Sequence, residues 1–169
     1  DYQPYPAFAL GAGETTVMKM VNAYSALANH GRLNEPTLID YVQDRRGKVI
    51  YRADKRDCTG CNMAKWDGQP MPRLKPTGKQ ALDARTAYQM VSMLEGVVRR
   101  GTGSAVRKAV PDKPLAGKTG TTNEYKDAWF VGFSPDLAAG VFVGFDMPQS
   151  LGQGEAGGKV AAPVFGEFM

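Results

Sequence analysis

The sequence predicts a mixed α/β (α+β) fold in which helices pack against an antiparallel sheet. Two segments, residues 15–29 and 84–99, have apolar side chains at the three- and four-residue steps of amphipathic helices. Three strand-like segments follow at short intervals: residues 115–122, 127–133 and 137–145. Because parallel neighbours need a crossover of about a dozen residues or more, connections this short favour antiparallel pairing.

The first helix is predicted from residues 15–29. Its apolar side chains would form one face that packs against the sheet: Val17, Met20, Val21, Tyr24, Leu27 and Ala28. Gly31 follows as the stop signal.

A β-hairpin is predicted next, from the β-rich runs at residues 37–42 and 48–52. The residues between them, 43–47, end in a glycine. Two such runs joined by a short loop that contains glycine are typical of an antiparallel hairpin.

Residues 53–79 interrupt the regular pattern. Little apolar periodicity remains in this segment. It contains several glycines and prolines, which are typical of loops: Gly60, Gly68, Pro70, Pro72, Pro76 and Gly78. We therefore expect residues 53–79 to form a surface loop insertion.

The two cysteines of the chain, Cys58 and Cys61, lie in this segment. A structural zinc site would still lack two ligands, and His30 is too isolated to complete one. A thioredoxin-type site would need the pair to open a helix, whereas its flanks are typical of a loop. The pair therefore forms either a local disulfide or two exposed thiols, depending on the compartment. The sequence indicates no metal site and no cofactor.

The second amphipathic segment, residues 84–99, has a start signal and a stop signal. Asp83 is an N-cap candidate, and Arg99, Arg100 and Gly101 are typical of a helix end. Its buried face is expected to hold Ala87, Met90, Val91, Leu94, Val97 and Val98.

The sheet is predicted after the turn-rich residues 101–103. Residues 134–136, Ser-Pro-Asp, make the connection between its second and third strands a tight one. The tail, residues 157–169, has the apolar spacing of one last short helix that returns to cover the sheet.

Length and composition limit the classes of protein to consider. The chain has 169 residues, of which 43% are hydrophobic, enough for one core. The net charge of +4 is compatible with an anionic polymer as partner. Nucleic acid is not expected, because the chain lacks a long basic tract or an aromatic platform. No apolar run of about 18 residues and no signal peptide is present, so membrane contact is expected only through an anchor outside this chain.

Two glycine-containing patterns resemble phosphate-binding loops, and both fail on context. Residues 152–157 match GxGxxG, but too few residues follow for a βαβ unit. Residues 117–119 end like a Walker A loop, but Asp112 stands where its first glycine would be. Nucleotide binding is therefore not expected.

The segment Lys118-Thr119-Gly120-Thr121-Thr122 lies on the first of the three predicted strands. Alternate side chains of a strand share a face, so the hydroxyls of Thr119 and Thr121 are expected on one side. Gly120 would leave the strand surface open to a substrate. The ordinary alternatives are a solvated strand lysine at Lys118 and a bulge glycine at Gly120.

Lys118-Thr119-Gly120 is similar to the K-T-G box of β-lactamases and penicillin-binding proteins. Residues 127–135 and 141–146 resemble the paired strands that follow the box in class A, bifunctional penicillin-binding proteins. The resemblance extends over nearly the whole chain, through short matching segments at residues 10–14, 23–24, 92–94, 100–103, 157–158 and 161–163. Residues 58–75 are the part without a match.

The chain departs from this family because it lacks the S-x-x-K box that holds the nucleophile. No serine has lysine at the third following position, as the five serines show: Ser25, Ser92, Ser104, Ser134 and Ser150. No S-x-N box is present either. Both boxes precede the K-T-G box in the family, so we interpret residues 1–169 as the C-terminal portion of a transpeptidase domain within a larger protein. We expect this segment not to acylate by itself.

The resemblance implies roles for the residues of the box. Lys118 would point into the cleft, raise the local positive potential and hydrogen-bond the serine of the S-x-N box. The backbone N–H of Thr121 would form one half of the oxyanion hole. The hydroxyls of Thr119 and Thr121 would bind the substrate carboxylate against Gly120, and Thr122 would line the cleft.

Two aromatic residues after the box could also wall the cleft, Tyr125 and Trp129. Aromatic residues on a strand are more often part of the core. We therefore assign Trp129 to the core.

For the full protein, the resemblance implies the serine transpeptidase/β-lactamase-like fold. It implies a D,D-transpeptidase that cross-links peptidoglycan stem peptides through an acyl-serine intermediate and binds β-lactam antibiotics. It also implies an upstream part of the same domain, a glycosyltransferase domain, a membrane anchor, and a location on the periplasmic side of the bacterial inner membrane. Two alternatives remain, which are a D,D-carboxypeptidase or β-lactamase, and a non-catalytic binding or scaffold piece.

Overall fold

The computed structural model describes residues 5–58, 61, 65, 67–70 and 74–169, and the chain divides into two compact units. The first unit comprises Asp1–Leu33 and Gln80–Met169, and the second comprises Asn34–Lys79. Gly60 and Pro72, which contribute to the predicted surface loop, lie outside the described residues.

Eleven helices and strands follow one another through the described residues. They are α1 (Val17–Ala28), β1 (Arg32–Leu33), β2 (Tyr41–Gln43), β3 (Val49–Arg52), β4 (Lys79–Gln80), α2 (Ala84–Arg100), α3 (Ser104–Ala109), β5 (Ala116–Thr121), β6 (Asp127–Phe133), β7 (Ala138–Gly144) and α4 (Gly157–Phe168). Pro6–Leu10 and Asn123–Tyr125 form short 3-10 helices. No helix among these residues is long and apolar enough to cross a membrane.

The first unit is built on a three-stranded antiparallel sheet in the order β5-β6-β7, which confirms the predicted pairing. The register between β5 and β6 runs without a break from the pair Ala116–Phe133 to the pair Thr121–Ala128. The observed β6 has the predicted bounds, and β5 and β7 are each one residue shorter at both ends. An unbroken register leaves no bulge at Gly120, so the bulge interpretation of this glycine is wrong.

The last helix packs on one face of this sheet, as the apolar spacing of the tail predicts. Phe130 of β6 and Phe165 of α4 are fully buried, and their ring centroids lie 4.7 Å apart. The core around them also contains Val98 of α2, Val106 of α3, Leu115 just before β5, and Ala161 and Ala162 of α4 itself. The sequence analysis did not predict α3, which contributes the fully buried Val106.

A second cluster lies on the opposite face and joins α1 and α2 to the sheet. Its buried members are Leu94, Ala116 and Phe133, with Tyr24, Leu27, Ala28, Val91 and Ala138 packed around them. The predicted inner faces of both helices are therefore largely confirmed. Met90 is an exception, because 37% of its surface remains exposed.

Helices α1 and α2 begin at side-chain caps. The hydroxyl of Thr16 accepts the Lys19 N–H at 3.3 Å, and the carboxylate of Asp83 accepts the Arg85 N–H at 2.9 Å, which confirms the predicted cap. After α1, Gly31 adopts a φ of 83°. A Cβ at this position would lie 2.1 Å from the Leu82 carbonyl oxygen, so the chain can make this close turn only with glycine.

The second unit contains the predicted hairpin, but its first strand is shorter than expected. The hydroxyl of Thr37 accepts the Ile39 N–H at 3.2 Å and lies 3.0 Å from the Ile39 carbonyl oxygen. These local bonds offer the backbone an alternative to strand pairing, so β2 begins only at Tyr41. The carboxylate of Asp44 closes the loop by accepting the N–H groups of Arg46 and Lys48.

The polar segment after the hairpin contains a disulfide and an ion pair. Cys58 and Cys61 form a disulfide, which selects one of the two states that the sequence left open. Arg56 binds the carboxylate of Asp54 and donates to the Lys75 carbonyl at 3.3 Å. The Arg56 hydrogen bonds lower the pKa of Asp54 to about 2.

Candidate active site

A cavity of about 710 Å³ in the first unit is lined by all five residues of Lys118–Thr122. Its other walls come from the segment before α1, from α1, and from the neighbouring strands β6 and β7. These walls hold Leu10, Gly11, Ala12, Gly13, Glu14, Thr15, Met20, Tyr24, Asp127, Trp129, Val131 and Phe142. Burial raises the pKa of Tyr24 above its ordinary value, because the buried site disfavours the charged phenolate.

The backbone of β5 presents alternate residues to β6 and to the open edge of the sheet. The Thr122 N–H donates to the Asp127 carbonyl at 3.1 Å, which directs residue 122 toward β6. In an antiparallel ladder the hydrogen-bonding direction alternates, so Gly120 also faces β6 and Thr121 faces away from it. The N–H of Thr121 is therefore directed toward the free edge of β5, the terminal strand of this sheet.

The ammonium group of Lys118 lies at the same edge. Its Nζ donates to the Thr119 carbonyl at 2.9 Å and to the Thr119 hydroxyl at 3.2 Å. The side chain is exposed but folds back along its own strand. Lys118 thus places a positive charge next to the Thr119 hydroxyl instead of extending freely into solvent.

The hydroxyls of Thr119 and Thr121 lie on the same side of β5, toward the start of α4, as strand alternation predicts. The Gly157 N–H, the first of α4, donates to the Thr121 hydroxyl at 3.0 Å. The Thr119 hydroxyl lies 2.7 Å from that of Thr102, in the turn between α2 and α3. The positive end of a helix dipole, an ammonium and two hydroxyls therefore gather around one small region, which is suited to an anion.

The aromatic wall of the cavity differs from what the sequence indicated. Trp129 was assigned to the core, but its side chain is only half-buried and lines the cavity. Its ring packs on Phe142, with centroids 4.8 Å apart. A Cβ at Gly120 would lie 3.1 Å from the Trp129 Cβ, so the missing side chain leaves room for this tryptophan beside the strand. Tyr125 lies in the 3-10 turn Asn123–Tyr125, where its carbonyl accepts the Leu151 N–H.

Sequence reasoning did not identify Thr102 as a neighbour of the site. It lies 17 residues from Thr119 in sequence, and no periodic pattern connects a turn to a strand over that distance. The nearby glycines, Gly101 and Gly103, were recognised as turn residues within a segment that resembles the family, and no contact with Thr119 was predicted from them. Among the residues that the structure describes, no three potential metal-ligating side chains come together.

Comparison with known proteins places this chain in a family. Residues 3–169 match the family model described as the penicillin binding protein transpeptidase domain. The chain is 42% identical over 165 residues to penicillin-binding protein 1A of Rickettsia prowazekii, an alignment that covers 96% of this chain and 21% of that protein. The chain thus spans about a fifth of the length of this relative.

Solved structures agree with this match. The fold is similar to penicillin-binding protein 1A from Haemophilus influenzae, with a TM-score of 0.81 and 31% identity over 99% of this chain and 28% of that chain. It is also similar to the PonA1 protein from Mycobacterium tuberculosis in complex with penicillin V, with a TM-score of 0.71 and 26% identity over 97% of this chain and 40% of that chain. The chain therefore belongs to the penicillin-binding protein transpeptidase domain family.

Proposed function

We propose that this chain is the C-terminal part of a serine D,D-transpeptidase domain and supplies the wall of the active site that binds the substrate carboxylate and the oxyanion. The proposal rests on one observation above all, the arrangement of Lys118–Thr122 along a cavity of about 710 Å³. In the full protein, the reaction would cross-link peptidoglycan stem peptides through an acyl-serine intermediate. The nucleophile would come from an S-x-x-K box upstream in the same domain, because this chain contains none.

Acyl transfer from a peptide needs donors for the oxygen that becomes negative in the transition state. The backbone N–H of Thr121 is directed toward the open edge of β5, which supports a role as one of these donors. The Lys118 ammonium at the same edge would raise the positive potential there and assist proton transfer to and from the upstream serine groups. Lys118 and Thr121 are therefore the two residues to which we assign catalytic roles.

The carboxylate of the substrate would bind between the threonine hydroxyls. The Thr119 and Thr121 hydroxyls lie on one side of β5, where Thr119 accepts from the Lys118 ammonium and Thr121 accepts from the first N–H of α4. Hydroxyl donors, an ammonium group and a helix start all favour a negatively charged group. Gly120 and Thr122 would complete the substrate-binding strand on either side of Thr121.

Several properties of the full protein follow from the same proposal. β-Lactams, which carry a carboxylate next to a reactive amide, would acylate the upstream serine. The transpeptidase would act outside the cytoplasm, held by an anchor outside this chain, and an upstream glycosyltransferase domain would supply its glycan strands. Residues 53–79 would be a surface insertion in the transpeptidase domain.

The test is to incubate the protein with a labelled penicillin and to record its intact mass. Three proteins are compared: this chain alone, the chain joined to its upstream sequence, and the joined protein with Lys118→Ala. We expect a covalent adduct only on the joined protein, formed roughly a hundredfold more slowly in the Lys118→Ala variant. Lys108→Ala is a matched control, because this exposed lysine lies on α3 and does not line the cavity.

The other outcomes distinguish the alternatives. An adduct on neither form of the protein would favour a non-catalytic, transpeptidase-like scaffold. An adduct on the isolated chain would show that the nucleophile lies within residues 1–169. Rapid turnover of the adduct with water, without transfer to an amine, would favour a D,D-carboxypeptidase or a β-lactamase.

A further inference from the structure

The turn between α2 and α3 holds Thr102 in a fixed place beside the K-T-G strand. The N–H groups of Gly101 and Gly103 both donate to the Val97 carbonyl, at 3.0 and 3.1 Å. A Cβ at Gly103 would lie 3.0 Å from the Phe130 ring, and one at Gly101 would lie 2.9 Å from the Val97 Cα. Two glycines thus let the turn pack closely against the end of α2, so the main chain alone determines where Thr102 lies.

The start of α4 closes over the same turn from the other side. A Cβ at Gly158 would lie 2.6 Å from the Thr102 carbonyl oxygen and 3.6 Å from the Thr119 methyl group. The preceding residue, Gly157, donates its N–H to the Thr121 hydroxyl. The turn with Thr102 and the start of α4 therefore contact the two site hydroxyls side by side, Thr119 through Thr102 and Thr121 through Gly157.

The donors available at these atoms determine which way the hydroxyl protons point. A threonine hydroxyl has one proton to donate and two lone pairs that accept. Thr121 accepts from a backbone N–H, which leaves its own proton free to be donated. Thr119 accepts from the Lys118 ammonium, which can only donate, and lies 2.7 Å from the Thr102 hydroxyl. If Thr102 donates in this bond, both lone pairs of Thr119 are occupied and its own proton is free to be donated to a ligand.

We propose that Thr102 is a positioning residue for carboxylate recognition: its hydroxyl donates to Thr119, and this bond makes Thr119 a hydrogen-bond donor to the carboxylate of the substrate. This inference rests on the proposed function, in which Thr119 and Thr121 bind that carboxylate. Thr102 itself does not contact the substrate. Its effect depends on the charge of the ligand, because a hydrogen bond to a carboxylate is roughly twice as strong as one between neutral groups.

The test uses the joined protein and two probes, a penicillin with its free carboxylate and the methyl ester of the same penicillin. The second-order rate constant of acylation is measured for the wild type, Thr102→Val and Thr102→Ser. Valine has the shape of threonine without its hydroxyl, and serine keeps the hydroxyl. We expect Thr102→Val to slow acylation by the free acid roughly five- to tenfold, and Thr102→Ser to remain within about twofold of the wild type. With the ester, the loss caused by Thr102→Val should shrink to about twofold or less.

Two results would overturn the role of Thr102. The first is an equal loss on acid and ester, which would indicate a general structural effect, and the second is no loss on either. The Thr119→Val variant shows whether only the role of Thr102 is wrong or whether the proposed function is wrong as well. If Thr119→Val reduces the preference for the acid but Thr102→Val does not, only the inference about Thr102 is wrong. If Thr119→Val leaves the preference unchanged, or if the wild type forms no adduct, the proposed function is wrong and the inference is overturned with it.

Discussion

At the scale of single residues, Gly157 is a position where the backbone of α4 lies close against the sheet. Its N–H binds Thr121, and a Cβ at this position would lie 2.4 Å from the carbonyl oxygens of both Gly120 and Trp129. Those atoms belong to a hydrogen-bonded pair of strands and cannot move aside as a flexible side chain would. The absence of a side chain at residue 157 is therefore a condition for the contact between the helix and the site.

We predict that Gly157→Ala lowers the free energy of unfolding of the chain by about 1–3 kcal/mol, because the added methyl group forces the start of α4 away from β5 and β6. Urea unfolding measures this change. Gly96→Ala in α2 is the matched control, since a Cβ there would approach only the mobile end of Arg100, at 3.3 Å. Alanine at an unobstructed helix position should stabilise by up to about 1 kcal/mol. Equal effects of the two substitutions would contradict the close contact at Gly157.

The sequence predicts the threonine hydroxyls of the candidate site but not the neighbours that pack around them. Strand alternation places the Thr119 and Thr121 hydroxyls on one side, because it depends only on local backbone geometry. The position of Thr102 depends on how α2, α3 and β5 pack, which no local pattern encodes. Trp129 was misassigned for a similar reason: its environment depends on Gly120 across the strand pair, not on its own preference for strands.

At the scale of elements, α4 has a buried side and an exposed side that differ sharply. Phe165 is fully buried against Phe130 and Val106, whereas Phe168 on the same helix keeps 67% of its surface exposed. Both residues are phenylalanine, so the same substitution at the two positions separates the effect of packing from that of residue type. Burial of one phenylalanine side chain is worth several kcal/mol.

We predict that Phe165→Ala destabilises the chain by about 3–5 kcal/mol, since it removes a ring from a closely packed core and leaves a cavity. Phe168→Ala should change the free energy of unfolding by no more than about 0.5 kcal/mol. Chemical denaturation of the two variants gives both values. A similar loss at the two positions would mean that α4 does not pack on the sheet with Phe165 inward.

Elements were predictable from the sequence where their pattern is long enough to recognise. The two long amphipathic helices and the three strands of the main sheet have periodic patterns over six residues or more, and their bounds agree with the structure to within a few residues. The short helix Ser104–Ala109 spans less than two turns, too few to show a face. The hairpin strand was overextended because a local turn at Thr37 competes with pairing, an effect that strand propensity does not include.

At the scale of the whole molecule, the two compact units differ in how they are stabilised. Every residue of the two hydrophobic clusters belongs to the first unit, in Asp1–Leu33 or Gln80–Met169. The second unit, Asn34–Lys79, contains a hairpin whose large apolar side chains are exposed, including Ile50 and Tyr51. A two-stranded hairpin with little burial is marginally stable by itself. None of the residues that the structure describes in the second unit is a member of either cluster.

We therefore predict that residues 35–78 can be replaced by a linker of about four glycine and serine residues without loss of the fold of the first unit. The replacement keeps Arg32–Leu33 and Lys79–Gln80, the two short strands that pair with each other. Methyl resonances of Val98, Val106 and Leu115 should keep their positions in NMR spectra, because their neighbours are unchanged. The same linker in place of Ser104–Ala109 is the control, and it should abolish the dispersed methyl signals because it removes Val106 from the core. If the signals collapse in the first variant as well, the first unit depends on residues 35–78 to fold.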